Sequence, residues 1–177
     1  MITWRRIKTP DDRLLEQVIP LYEEAFPPVE RRDAGQLQRV IEKRTNLYFN
    51  AIVEGAEPVG LLAYWDLQDF YYIEHLALFV AYRGRSIGTR VLEEVARCLV
   101  GIRLLEVEPP ADPASERRVA YYERNGYRVL TRDYMQPSYD GKREGCPMWI
   151  MGNEVPARLA EFVERIQREV YRENEHI

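Results

Sequence analysis

The chain predicts an α/β fold, a mixed sheet flanked by helices, and three observations in its 177 residues carry that expectation. Apolar runs of strand length follow one another around short polar turns, which pairs consecutive strands antiparallel. Further on, an apolar run passes through a glycine-bearing loop into a helical pattern and then a second apolar run, the order of a strand-helix-strand crossover. The remaining segments repeat apolar residues every three or four positions, so each presents one face that needs a sheet to cover.

The elements follow in order. Trp4-Arg5-Arg6-Ile7 reads as a short first strand. Leu14, Leu15, Val18, Ile19, Tyr22 and Phe26 then recur at helical spacing after Pro10-Asp11-Asp12, a helix opening, and Pro27-Pro28 ends that helix. A second helix is expected over 29–44, with Leu37, Val40 and Ile41 on one face. Segments 47–53 and 59–65 flank Glu54-Gly55-Ala56-Glu57-Pro58 as a hairpin, and 70–80 is the next strand. The crossover takes a helix over 86–100, striped by Ile87, Val91, Val95 and Leu99, and a strand over 102–107. A helix over 113–125 leads to strands over 127–135 and 147–151. A last helix, 156–173, carries Leu159, Phe162, Val163, Ile166 and Val170 on one stripe. That stripe is expected to cover the chain's own sheet, with a homodimer partner as the other occupant left open. No repeat or linker divides the chain, so residues 1–177 are expected to form one domain.

Composition narrows the function classes. A hydrophobic fraction of 46% with 31% charged residues is that of an ordinary globular chain. No apolar run reaches membrane-helix length and the first residues lack a signal peptide's apolar core, so the expected address is the cytoplasm, with no membrane partner. Cys98 and Cys146 lack C-x-x-C spacing and the only histidines are His75 and His176, which indicates neither a disulfide framework nor a metal site. A net charge of -4 argues against nonspecific nucleic-acid binding. Most of the basic pairs, Arg5-Arg6, Arg31-Arg32 and Arg117-Arg118 among them, read as solvated helix faces.

Arg83 and Arg85 are the exception, because they sit in Arg83-Gly84-Arg85-Ser86-Ile87-Gly88-Thr89, between a strand and a helix start. First-turn N–H groups have no intrahelical partners and carry the positive end of the helix dipole, so such a loop is a phosphate cradle. A Walker loop would need lysine after Gly88, where Thr89 stands, and the G-x-G-x-x-G register of a dinucleotide fingerprint is not met. What fits is Q/R-x-x-G-x-G/A after a Leu-x-Leu strand and a tyrosine, here Leu76-Ala77-Leu78-Phe79-Val80-Ala81-Tyr82 leading into Arg83 to Gly88. This resembles the coenzyme A loop of the GNAT N-acetyltransferase superfamily. Ala120-Tyr121-Tyr122-Glu123-Arg124-Asn125-Gly126-Tyr127 independently resembles the family's A-x-x-Y-E-x-x-G-F/Y signature, and the likeness spans roughly residues 47–151. Ser86 stands where the family has its first glycine; it must adopt the glycine conformation at some cost or add a hydroxyl donor, and the second is expected because serine suits a helix start.

The resemblance implies a mostly antiparallel central sheet whose middle strands splay to admit the pantetheine arm, and an enzyme that moves an acetyl group from acetyl-CoA to a primary amine of a small molecule or peptide. It implies acetyl-CoA contacts at Leu76, Leu78, Val80, Arg83, Gly84, Arg85, Ser86, Ile87, Gly88 and Thr89, with backbone groups of Leu76 to Val80 pairing with the pantetheine. It also implies that Tyr122 donates a proton to the departing thiolate, with Tyr121 the better candidate for a plain core role.

An alkyl amine with a pKa of about 10.4 arrives protonated at neutral pH, so a base is needed. Glu74 is the choice, on the strand leading to the cradle. His75, adjacent and with a suitable intrinsic pKa, is a rival that should face the opposite side by strand alternation, so that only one of the two faces the acceptor; Glu106 and Glu108, alternate residues of the next strand, are rivals too. Glu108 could also hold a cationic acceptor. Arg31 and Arg32, expected in the first turn of the second helix where cations are disfavoured, suggest that one arginine, taken as Arg31, binds an anionic group on the acceptor. Two other classes stay open: an acyl-CoA sensor without turnover, and a partner-binding domain using the last helix.

Overall fold

The structure, a computed structural model, describes residues 1–177. Seven strands, β1 (Ile2–Arg6), β2 (Leu47–Glu54), β3 (Glu57–Asp66), β4 (Tyr71–Leu78), β5 (Arg103–Val107), β6 (Arg128–Gln136) and β7 (Cys146–Gly152), form one sheet in the order β1-β2-β3-β4-β5-β7-β6. Every neighbouring pair is antiparallel except β4 and β5, which lie parallel across the α3 (Ile87–Cys98) crossover. On one face α1 (Arg13–Ala25), α2 (Ala34–Lys43) and α5 (Leu159–Arg165) cover a core that includes Val18, Tyr22, Val40, Phe49, Trp65 and Phe162. On the other, α3 and α4 (Pro113–Arg124) pack Val91, Val95 and Val119 against Ile52, Leu62 and Leu105. No helix is long and apolar enough to cross a membrane.

Three expected boundaries shift. The second helix starts at Ala34, where Asp33 accepts from the Gln36 N–H at 2.8 Å. Ahead of it Pro28–Glu30 makes a single 3-10 turn, and Arg31 is extended with φ −147°. Arg31 and Arg32 therefore precede the helix and oppose no dipole, which removes the argument that singled them out. The strand expected over 70–80 ends at Leu78, with Val80–Tyr82 a 3-10 turn. The last helix begins at Leu159 and widens into a π-helical turn, Ile166–Tyr171, before a closing 3-10 turn, Arg172–Asn174. Its stripe lies on the chain's own sheet, where Phe162 stacks on Phe70 with ring centroids 4.2 Å apart.

Two irregularities make room for a site. β4 and β5 pair only between Tyr71–Ile73 and Arg103–Leu105, while β4 stays with β3 to Leu78 and β5 stays with β7 to Val107. The two middle strands therefore part, and the edge of β4 from Glu74 onward is left without a strand partner on that side. The second irregularity is a register shift between β3 and β4, where Ala63 pairs with His75 but Tyr64 pairs with Ile73, leaving Glu74 as the extra residue of a bulge. A bulge cancels the alternation of side chains. Glu74 and His75 consequently reach the same face, contrary to the strict alternation expected from sequence.

Candidate active site

The loop between β4 and α3 turns through two left-handed residues, Gly84 at φ +73° and Ser86 at φ 57°. A Cβ on Gly84 would meet nothing, so conformation alone asks for glycine there. Ser86 takes the glycine conformation itself, the first of the two alternatives, and makes no capping bond with its side chain. The N–H groups that open α3 are left to seek partners outside the helix. Gly88 is needed for a different reason: a Cβ there would lie 3.0 Å from the Tyr121 hydroxyl, which donates to the Gly88 carbonyl at 2.8 Å. That bond ties α4 to the first turn of α3, so Tyr121 shapes the cradle and has more than the plain core role expected of it.

An open groove of about 640 Å³ runs from this loop along the free edge of β4. Leu76, Leu78, Arg83 and Gly84 line it, with Ser86, Ile87, Gly88 and Thr89 at its end. Val80 and Arg85 do not; Val80 projects outward at 64% exposure, and the Arg85 guanidinium sits 5.9 Å from the Tyr82 ring centre. The opposite wall is one face of α4, where Arg117, Tyr121 and Arg124 follow at spacings of four and three. Arg117 and Arg118 lie exposed on a helix face, as expected, and that face also borders the groove.

Beyond Tyr122 the groove gives way to a narrow pocket of about 50 Å³ that carries four carboxylates, Glu30, Glu74, Glu106 and Glu108. Phe26, Leu76, Arg118 and Tyr122 border both spaces, so Tyr122 stands at the junction. It is also buried against Tyr127 and Tyr121, and burial pushes its hydroxyl well above the ordinary tyrosine range.

The carboxylates differ in what surrounds them. Burial alone would raise Glu74, but Arg32 pairs with it at 2.5 Å and Trp65 and Tyr139 donate at 2.8 and 3.0 Å, so the carboxyl falls below its usual range. Arg32 is itself buried; its second nitrogen donates to the Val170 carbonyl at 2.8 Å and its guanidinium lies 4.6 Å from the Tyr139 ring centre. Glu106 has no cation. Burial pushes it up to about 7 against the lowering effect of donors Tyr134 at 2.5 Å, Gln136 at 2.6 Å and Tyr171 at 2.9 Å. Glu30, in the turn ahead of α2, is also raised to about 7, by burial and then by the nearby Glu108. Glu108 pairs with Arg118 at 2.6 Å. His75 is held neutral by burial, and its Nε2 bonds the Glu30 carbonyl at 3.0 Å, which anchors the turn that brings Glu30 into the pocket.

Arg31 is not part of this assembly. Its guanidinium donates to the carbonyl of Phe26 at 2.9 Å and lines a separate polar pocket with Asp33, Asp140 and Arg143. The site thus brings together the loop, Tyr122, Glu74, Glu106 and Glu108, and leaves out Val80, Arg85 and Arg31. No group of three or more His, Cys, Asp or Glu side chains is arranged to hold a metal ion.

Residues 15–127 match the family described as acetyltransferase (GNAT). A protein from Bacteroides thetaiotaomicron assigned to the GNAT acetyltransferases is 31% identical, with 96% of this chain and 98% of that one aligned at a TM-score of 0.89. The Escherichia coli ribosomal-protein-S18-alanine N-acetyltransferase shares the fold at 19% identity, 89% and 98% coverage and a TM-score of 0.57. A GNAT family acetyltransferase from Elizabethkingia anophelis, solved with acetyl-CoA bound, does so at 14% identity, 87% and 98% coverage and a TM-score of 0.57. No curated protein matches the chain.

Proposed function

We propose, from the premise that this chain belongs to the GNAT acetyltransferase family, that it transfers an acetyl group from acetyl-CoA to the primary amine of a cationic small molecule or peptide side chain in the cytoplasm. The observation that carries this reading is the continuity of a phosphate-type groove with an acidic pocket through Tyr122. The groove suits the coenzyme: it offers unpartnered helix N–H groups, the flanking arginines Arg83, Arg117 and Arg124, and a free strand edge at Leu76 to Leu78. Bound acetyl-CoA supplies the activated acyl carbon.

The protein's own groups do the rest. Glu30 and Glu108 draw the acceptor's ammonium into the pocket. Glu106 takes the amine's proton; a base works best with a pKa near the working pH, and burial sets this one near 7. Glu74 does not fit that role, because its charge is committed to the buried Arg32. Tyr122, at the junction, keeps its proton at neutral pH and gives it to the departing thiolate. The pocket admits only the amine end of an acceptor. With Arg31 outside it, an alkyl diamine or a lysine side chain is preferred over an acceptor carrying a carboxylate beside its amine, which reverses the preference drawn from sequence.

The test combines calorimetric acetyl-CoA binding with release of free coenzyme thiol across a panel of diamines, lysine peptides and amino acids. Release that requires a cationic alkyl amine supports the reading. Binding without amine-dependent release identifies an acyl-CoA sensor, and best activity with amino acids refutes the acceptor class.

A further inference from the structure

Three donors to Glu106, Tyr134, Gln136 and Tyr171, lie beyond residue 127, where the stretch matched to the family ends, and Tyr72 of β4 adds a further hydroxyl. Tyr171 comes from farthest along the chain and from the least regular backbone. Ile166, Val170 and Tyr171 are all fully buried, and Asn174 nearly so. Val170 and Tyr171 are adjacent and both fully buried, as Leu21 and Tyr22 are in the regular helix α1. The π-helical turn at Ile166–Tyr171 widens the backbone at that point, and such turns recur at functional sites.

Two groups of this turn grip the acceptor site from behind. The Val170 carbonyl accepts from Arg32, the partner of Glu74. The Tyr171 hydroxyl lies 2.9 Å from Glu106, 3.1 Å from the Gln136 amide and 2.9 Å from the Tyr72 hydroxyl. Tyr171 does not reach the pocket lining, so it touches no acceptor.

We propose that Tyr171 is a positioning residue, delivered by the π-helical turn, that holds Glu106 in the orientation and charge state in which it can take a proton. Charged and titratable groups facing Glu106 come from every neighbouring element: Tyr134 from β6, Tyr139 from the β6–β7 connection, Tyr72 and Glu74 from β4, Glu30 from the turn after α1, Cys146 from β7 and Glu108 with its partner Arg118 beyond β5. None of them is a cation in contact with Glu106. Its negative form therefore depends on hydroxyl and amide donors, Tyr171 among them. The kinetic consequence rests on the reading of Glu106 as the base; the effect on its ionisation does not.

The experiment follows the Glu106 carboxyl carbon by NMR in the full chain labelled with carboxyl-¹³C glutamate, the resonance being assigned by its loss in Glu106→Gln. In Tyr171→Phe the midpoint should rise by about one pH unit, a tenfold gain in proton affinity. The acidic limb of amine turnover should move with it, while the KM for acetyl-CoA stays unchanged. An unmoved midpoint overturns the proposal. A second measurement needs no variant of Tyr171: in wild-type protein labelled at tyrosine Cζ, the Tyr171 resonance should titrate with the Glu106 midpoint, and a flat trace also overturns it. If Glu106→Gln retains full turnover, the base assignment falls, yet both titrations still decide for or against Tyr171.

Discussion

Glu74 and Glu106 carry the same carboxyl group into one pocket, and their neighbours drive them in opposite directions. Arg32 and two further donors keep Glu74 ionised, whereas Glu106 has donors but no cation and sits near 7. Glu106→Gln should therefore lower kcat by roughly 10²–10⁴-fold, with calorimetric acetyl-CoA affinity preserved. Glu74→Gln should act on folding: it leaves the Arg32 charge buried without its partner, at a cost of about 3–5 kcal/mol readable as a lower urea midpoint. Tyr122→Phe should reduce turnover and leave acetyl-CoA affinity alone; equal turnover at several pH values returns Tyr122 to the core. Sequence displayed Glu74, His75, Glu106 and Glu108 as rival bases, but the deciding facts are nonlocal. Arg32 reaches Glu74 across 42 positions, and the bulge that turns Glu74 and His75 to one face is invisible to a strict two-residue period.

At the scale of elements, what was legible was local. Arg83 to Thr89 announced a strand, a basic turn and a helix start because those signals fall within a few residues, and the structure puts the loop between β4 and α3. That Ser86 replaces a glycine was legible from the motif, but its conformation was not, since serine is an excellent cap elsewhere and φ 57° is what shows the left-handed backbone here. Ser86→Gly should relieve that conformation and raise stability by about 0.5–1 kcal/mol with coenzyme binding intact, whereas Ser86→Val should lose both, as differential scanning and calorimetry would show. Gly88→Glu should abolish acetyl-CoA binding in a folded protein, because it adds negative charge at the helix N-terminus and displaces Tyr121; unchanged affinity would move the phosphate site elsewhere. The start of α2 was misread because Pro28 and Glu30 satisfy the rules for a helix opening, while the stronger cap, Asp33, lies five residues beyond Pro28.

Over the whole molecule, the strand order and the parting of β4 from β5 create a charged interior that carries a stability cost. Glu106 is raised from about 4.5 unfolded to about 7 folded, so between those values the native state holds a proton that the unfolded chain has released. The contribution of Glu106 to stability then falls as pH rises through that window, by up to about 3 kcal/mol; Glu30, also raised to about 7, acts in the same direction and the buried neutral His75 in the opposite one. Glu106→Gln should remove that group's share and make stability fall less, or rise more, between pH 5 and pH 8 than in the wild type, as melting temperatures of both proteins would check. The general sheet-and-helix plan was readable from apolar periodicity, which also assigned the last stripe to the chain's own sheet. The π-helical turn was not, because the helical spacing ends at Val170 and gives no sign that Tyr171 also points inward. The most direct test of the central claim, that Glu106 deprotonates a cationic amine drawn into the acidic pocket, is the pH dependence of kcat/KM for an alkyl diamine in wild type and Glu106→Gln. The account predicts a wild-type rise through an acidic limb near pH 7, and a variant slowed at least a hundredfold that has lost that limb. A Glu106→Gln enzyme with wild-type rates and the same limb would contradict it.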